Sequence, residues 1–105
     1  MKCFMEQVER AEYFPQKSYE ALKPLMESEE NNIAFRSGYG YVTLQKIPEG
    51  YEYIIYDQAF REIGGQFYEN ITASKEEVVS WIFQEEGMGE LPCEPFSYEE
   101  LEKNL

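Results

Sequence analysis

A chain of 105 residues is the size of one domain and can bury roughly two-thirds of its unfolded surface. With 43% apolar residues it has the material for a core, which excludes global disorder. Its 21 acidic residues against 9 basic ones give a formal net charge of -12, a field that repels nucleic acid and anionic lipid and favours basic partners.

Residues 1 to 13 place Phe4, Val8 and Ala11 at helical spacing, and Pro15 stops the stripe. In "KSYEALKPLMESEENN", Tyr19, Leu22, Leu25 and Met26 share a helical face. Pro24 removes one intrahelical bond there, so the spacing predicts a helix kinked at that residue. From 33 to 70 the apolar period changes to 2. "IAFR" (33 to 36) reads as a leading edge strand, and "YGYVTLQKI" (39 to 47) and "YEYIIYD" (51 to 57) as a hairpin joined by the turn "PEG", with Gly50 free to take a positive φ. "DQAFRE" makes a second connection, and "IGGQFYEN" (63 to 70) a further strand. Two helices follow. "ITASKEEVVSWIFQEEG" has Ser74 and Glu77 in capping-box spacing, a Val78, Val79, Ile82, Phe83 stripe, and Gly87 to end it. "PFSYEELEKNL" repeats the device with Ser97 and Glu100, and Tyr98, Leu101 and Leu105 as its apolar partners. The pattern predicts a single α+β domain over 1–105, an antiparallel three- to four-stranded meander flanked by N-terminal and C-terminal helices.

Reactive chemistry is scarce. With no His the chain lacks the commonest general base and metal ligand at neutral pH. Cys3 and Cys93 form neither a disulfide framework nor a zinc motif and read as free thiols of a reducing cytosol. "ESEENN" (27 to 32) lacks the spacing and central Gly of a calcium loop. Gly64-Gly65 precedes strand-type sequence instead of a helix, and no Lys-Ser or Lys-Thr pair follows. It reads as a β-bulge or a close backbone approach rather than a phosphate loop. No catalytic residue, cofactor or metal site is expected. No run has the length of a signal peptide or a membrane span, so the expected location is the cytoplasm.

Tyr51, Tyr53, Tyr56, Asp57, Gly64 and Gly65, followed by a short spacer and a capped amphipathic helix, resemble over 51–86 a small accessory module of bacterial mobile-element proteins, Firmicute type. That module carries Tyr-x-Tyr-x-x-Tyr-Asp, a polar turn and an acidic Gly-Gly strand; here Ile63 stands where an acidic residue is more usual. The resemblance implies a plasmid, phage or conjugative setting and a binding role, and carries no chemistry.

Two features ask for a partner. If Val42, Leu44, Ile54 and Tyr56 face the helices, Tyr39, Tyr41, Tyr53 and Ile55 line a second apolar face. Either the N-terminal helices cover it or it is an exposed tyrosine patch for binding or self-association. An aromatic sheet face can stack bases, but the scarcity of basic residues disfavours direct nucleic-acid binding. The second feature is charge. Residues 76 to 105 carry nine acids and one base, Lys103. Glu85 and Glu86 sit at a helix C-terminus, where the dipole disfavours negative charge by about 0.3 to 1 kcal/mol each. Glu90, Glu94, Glu99 and Glu100 (and Glu102) follow. Either this is a solvated terminus, or these glutamates project like phosphates toward a basic cleft. The expected function is a non-enzymatic acidic module docking on a basic surface of a host nuclease or other nucleic-acid-handling protein, a DNA-mimic inhibitor of anti-restriction or anti-CRISPR type. The alternative is a structural or homodimerising accessory domain that uses its Tyr face.

Overall fold

The alternating segments form consecutive antiparallel strands in the computed structural model, which describes residues 14–38, 40–69, 72–88 and 92–105. They are β1 (Asn32–Ser37), β2 (Gly40–Ile47), β3 (Gly50–Tyr56) and β4 (Glu62–Tyr68). Helix α1 (Gln16–Glu27) precedes the sheet, while α2 (Lys75–Glu86), β5 (Glu94–Phe96) and α3 (Tyr98–Lys103) follow it. The α+β class expected from the sequence is therefore the class observed, with five antiparallel strands in the order β4-β3-β2-β1-β5. The predicted N-terminal stripe (Phe4, Val8, Ala11), Cys3, Tyr39 and Glu90 lie outside the described residues.

The helices follow their local signals. Ser74 caps α2 with a complete capping box to Glu77, and Gly87 closes it in the left-handed conformation, φ 63°. Val78, Val79, Ile82 and Phe83 are all buried. Ser97 caps α3 by accepting the Glu100 N–H, although Leu105, expected to pack, is exposed. Helix α1 runs unbroken through Pro24, with Leu22 and Met26 on its buried side. Two side-chain contacts join α1 and the turn after it to α2. The Tyr19 hydroxyl donates to Glu76 Oε1 (2.8 Å), and the Lys75 ammonium donates to the carbonyls of Ser28 and Glu30. Burial lowers the Lys75 pKa.

The principal core lies between the helices and one sheet face. Ile33, Phe35, Val42, Leu44, Tyr51, Tyr53 and Ile55 meet Phe14, Leu22 and Met26 on one side and the α2 stripe on the other. The Phe83 ring stacks on Phe14 (centroids 4.3 Å apart) and on Phe35 (6.0 Å).

The phase between β2 and β3 differs from the expected one. Val42 pairs with Ile55 and Leu44 with Tyr53, so Tyr53 and Ile55 share the helix face with Val42 and Leu44, while Ile54 and Tyr56 share the other face with Tyr41 and Thr43. The cause is the turn: Ile47 pairs directly with Gly50, leaving Pro48 and Glu49 as a two-residue loop, which sets even-numbered residues of β2 opposite odd-numbered ones of β3. Gly50 is thus a strand residue and does not have a positive φ.

The second face is covered, and among the described residues not by α1, which packs against α2 and β5. Its cover is α3 with the loop 57–61. Leu101 and Tyr98 from α3, Phe96 from β5 and Phe60 from the loop close over Ala34, Tyr41, Ile54 and Tyr56. The Phe60 ring stacks on Tyr41 at 4.6 Å, with Phe96 at 4.9 Å. Phe60 takes a positive φ of 64° to do so, a strained conformation for a non-glycine residue. Asp57 sets this geometry by accepting the Ala59 and Arg61 backbone N–H groups and the Arg61 guanidinium (2.8 to 3.0 Å). The Arg61 backbone bond chiefly, together with these others, holds the Asp57 carboxyl below its usual range.

Strand β5 is not among the strands that the sequence predicts. Its three residues pair Ala34 with Phe96, Phe35 with Pro95 and Arg36 with Glu94, which moves "IAFR" from the sheet edge to an interior position.

Candidate functional site

Among the described residues, the sites predicted from sequence do not gather on one surface. Tyr53 is fully buried on the helix face, and Tyr41 is half-buried beneath Phe60 and Phe96, so these two do not form an exposed tyrosine patch. Glu85 and Glu86 end α2 above β3 and β4, while Glu94 lies in β5 at the opposite edge. Four strand spacings separate the two edges, roughly 19 Å. Glu94 is paired across strands with the Arg36 guanidinium. Glu99 and Glu100 occupy the first turn of α3, over the second face, where the dipole favours them, and the Ser97 hydroxyl donates to Glu99.

The carboxylates that do stand together are at the β4 edge. The Tyr53 ring is buried, but its hydroxyl reaches the end of α2 and donates to Glu86 Oε2 at 2.6 Å. That bond offsets the dipole penalty on Glu86 and fixes its direction. Among the described residues neither Glu85 nor Glu86 has an ion-pair partner. Tyr68 and Gln66 of β4 lie below: the Tyr68 ring stacks on Tyr53 (5.8 Å) and meets Trp81 of α2 edge-on (5.3 Å). Next to them Ile55, Ile63, Gly64, Glu86 and Met88 line an open groove of about 270 Å³, apolar on its floor and carboxylate on its rim. On the other face of the same edge Glu52 pairs with Phe67 and Glu62 with Tyr56. Sequence reasoning missed Glu52 and Glu62 because they lie outside the acidic C-terminal third; the strand alternation of "YEYIIY" was the signal that could have placed Glu52.

Gly64 and Gly65 sit inside β4, not ahead of a helix. The register slips between Ile55 and Tyr56, leaving Ile63 as the extra residue of a bulge. A Cβ on Gly65 would come within 2.5 Å of the Tyr53 carbonyl oxygen, whereas Gly64 faces open space.

Three tyrosines around this edge are held neutral. Burial, then the Glu86 hydrogen bond and charge, pushes the Tyr53 phenol far up; burial and Glu85 raise Tyr68; burial and Glu62 raise Tyr56. A phenol whose pKa is raised in the folded state contributes stability that is complete below its unfolded value, about 10, and is lost as pH rises through the folded value. The urea midpoint is therefore expected to fall above about pH 10, with Tyr53 the largest contributor and Tyr56 and Tyr68 adding in the same direction. Tyr53→Phe should flatten that fall. Tyrosinate absorbance showing all nine tyrosines titrating together near 10 in the folded protein would contradict this.

Cys93 is buried, and desolvation pushes its thiol up to about 11, which makes it a poor nucleophile at neutral pH. Among the described residues no three acidic or cysteine side chains converge as a metal site, and no helix is long and apolar enough to cross a membrane.

No curated protein and no solved structure matches the chain. The family model described as large polyvalent protein-associated domain 16 matches residues 28–105, a span that takes in every strand of the sheet with α2 and α3. The chain belongs to that family, whose setting is the polyvalent proteins of phages and other mobile elements.

Proposed function

We propose that this domain is a non-enzymatic acidic binding module that docks on a basic surface of a nucleic-acid-handling protein of the host. The observation that carries the reading is the carboxylate group at the β4 edge. Glu85 and Glu86 lie on one side and Glu52 and Glu62 on the other, none of them ion-paired among the described residues. Charge left without an internal partner is available to an external one, and it steers encounter with a cationic surface. The mobile-element setting supports a host nuclease or a similar enzyme as the partner of this chemistry. Inhibition by DNA mimicry, anti-restriction or anti-CRISPR in type, is the form the docking takes when the basic surface is itself the nucleic-acid site. With Glu94 paired to Arg36 and Glu99 and Glu100 over the second face, the phosphate-like patch is a short one. Self-association through a tyrosine face receives no support from the positions of Tyr41 and Tyr53.

The test is affinity capture from the native cell with the parent chain and with Glu62→Lys/Glu85→Lys/Glu86→Lys. The reversal is expected to weaken binding to the captured partner at least about tenfold, and rising salt to weaken the parent complex in the same direction. A partner bound equally by both chains and insensitive to salt sinks the reading. Competition by the partner's own nucleic acid separates mimicry from docking elsewhere.

A further inference from the structure

The two edges of the sheet are built differently. β5 is three residues long, contains Pro95 and is tied by the Glu94–Arg36 pair, all devices that blunt an edge. β4 has seven residues, no Pro and no Lys or Arg; its bulge at Ile63 disrupts one end and leaves 64 to 68 in regular register. It is exposed nearly throughout, with Ile63 60% and Phe67 42% exposed.

The outward groups of this edge follow from the register. The Lys46 N–H donates to the Asn31 carbonyl, on the β1 side, so odd-numbered residues of β2 bond to β3. Gln45 and Ile47 therefore bond Glu52 and Gly50, which leaves Tyr51, Tyr53 and Ile55 to bond Tyr68, Gln66 and Gly64 of β4. Gly65 and Phe67 then turn their N–H and C=O groups away from the sheet.

We propose that β4 takes an additional strand: an extended, basic segment of a partner protein pairs with the outer edge at Gly65 and Phe67. This rests on the acidic-docking reading above and names its mode. Charge selects the occupant. Glu85 and Glu86 stand over the helix-side face of the edge and Glu52 and Glu62 over the other, so a second copy of this chain, with the same four carboxylates and a net charge of -12, is repelled. Of the nearby cations, Arg61 is bound to Asp57 and Lys46 lies over the Tyr51 ring, 5.5 Å from its centroid. An incoming Lys or Arg on the helix-side face lays its aliphatic stem along Ile63 and Met88, in the groove left open by Gly64, and brings its charge to Glu86. Backbone pairing supplies affinity and the alternate side chains supply selectivity.

The experiment uses the full chain and a synthetic peptide of about eight residues alternating Lys and Val, a strand's length. Controls are the same peptide N-methylated at alternate residues on each edge in turn, and a Glu/Val peptide. Binding is expected for the Lys/Val peptide, with slowed amide exchange at Gly65 and Phe67. N-methylation of the pairing edge is expected to weaken it about tenfold or more, as the loss of backbone hydrogen bonds dictates, and the Glu/Val peptide should not bind. Phe67→Pro removes only an outward donor and should abolish binding, while Phe67→Ala retains it. A peptide sensitive to Glu85→Lys/Glu86→Lys but indifferent to N-methylation overturns strand addition and leaves acidic docking standing; indifference to both overturns both. Sedimentation showing a dimer broken by Phe67→Pro overturns the choice of occupant in favour of a second copy.

Discussion

Gly40→Ala is expected to destabilise the protein severely. Gly40 opens β2 opposite Ser37 with φ 146°, and a Cβ there is driven onto the Tyr56 carbonyl oxygen and to 2.9 Å from both Cα and the carbonyl carbon of Asp57. Every atom it meets is backbone, so no rotamer change relieves the contact. The strands would have to part where the β2–β3 ladder meets the loop held by Asp57, the loop that carries Phe60 over the second face. A cost of about 3 to 5 kcal/mol is expected, against a net stability of about 5 to 15 kcal/mol for a domain of this size. The contrast within the same sheet is Gly64→Ala, whose Cβ meets nothing within 4 Å and whose effect should stay within about 0.5 kcal/mol. Urea midpoints of the two variants, measured side by side, check the pair. A Gly40→Ala protein as stable as the Gly64→Ala one would refute the close approach.

Cutting the chain to residues 28–105, the span matched by the family model, should leave a protein without a cooperative unfolding transition. The cut removes Phe14, Leu22 and Met26, all buried in the same core as Phe83, Phe35 and Val79. Each fully buried side chain of this size contributes about 1.5 to 3 kcal/mol, and the surfaces it covered become exposed as well. The total is comparable to the whole net stability. The expected sign is dye binding to exposed apolar surface with near-native strand content. As a milder test, Leu22→Ala in the full chain should cost about 2 to 5 kcal/mol. A shortened chain that melts like the full one would show that the family's own boundary is a folding boundary and that α1 is dispensable.

What the sequence made legible was whatever depends on neighbouring residues. The ends of α2 are written in Ser74, Glu77 and Gly87, and its buried face in four apolar residues at helical spacing; all behave as expected. Alternation identified the strands, because a strand's period is local. The phase between strands is not local in the same way. It turned on whether Gly50 belonged to the turn or to β3, and a shift of one residue exchanged Tyr53 and Ile55 for Ile54 and Tyr56 on the core side. β5 was illegible because three residues containing Pro95 carry no period, and its pairing partner lies about sixty positions earlier. The cover of the second face comes from a six-residue helix and one loop phenylalanine, neither with a strong pattern. The acidic residues were counted correctly but read as a patch because they are neighbours in the chain. Glu94 lies in β5, at the opposite edge of the sheet from Glu85 and Glu86, and the carboxylates that share their edge from its other face, Glu52 and Glu62, come from strands.

The strand order has a consequence for assembly. β1 through β4 join by connections of a few residues, so three hairpin ladders form at little loop entropy. β5 can reach β1 only after the intervening chain, α2 included, has been gathered in, and α3 arrives with it. Early in folding the nascent meander therefore presents two bare margins. One is temporary and is sealed when β5 docks late; the other, along β4, stays open among the described residues of the folded molecule, a standing berth where the first was a passing stage.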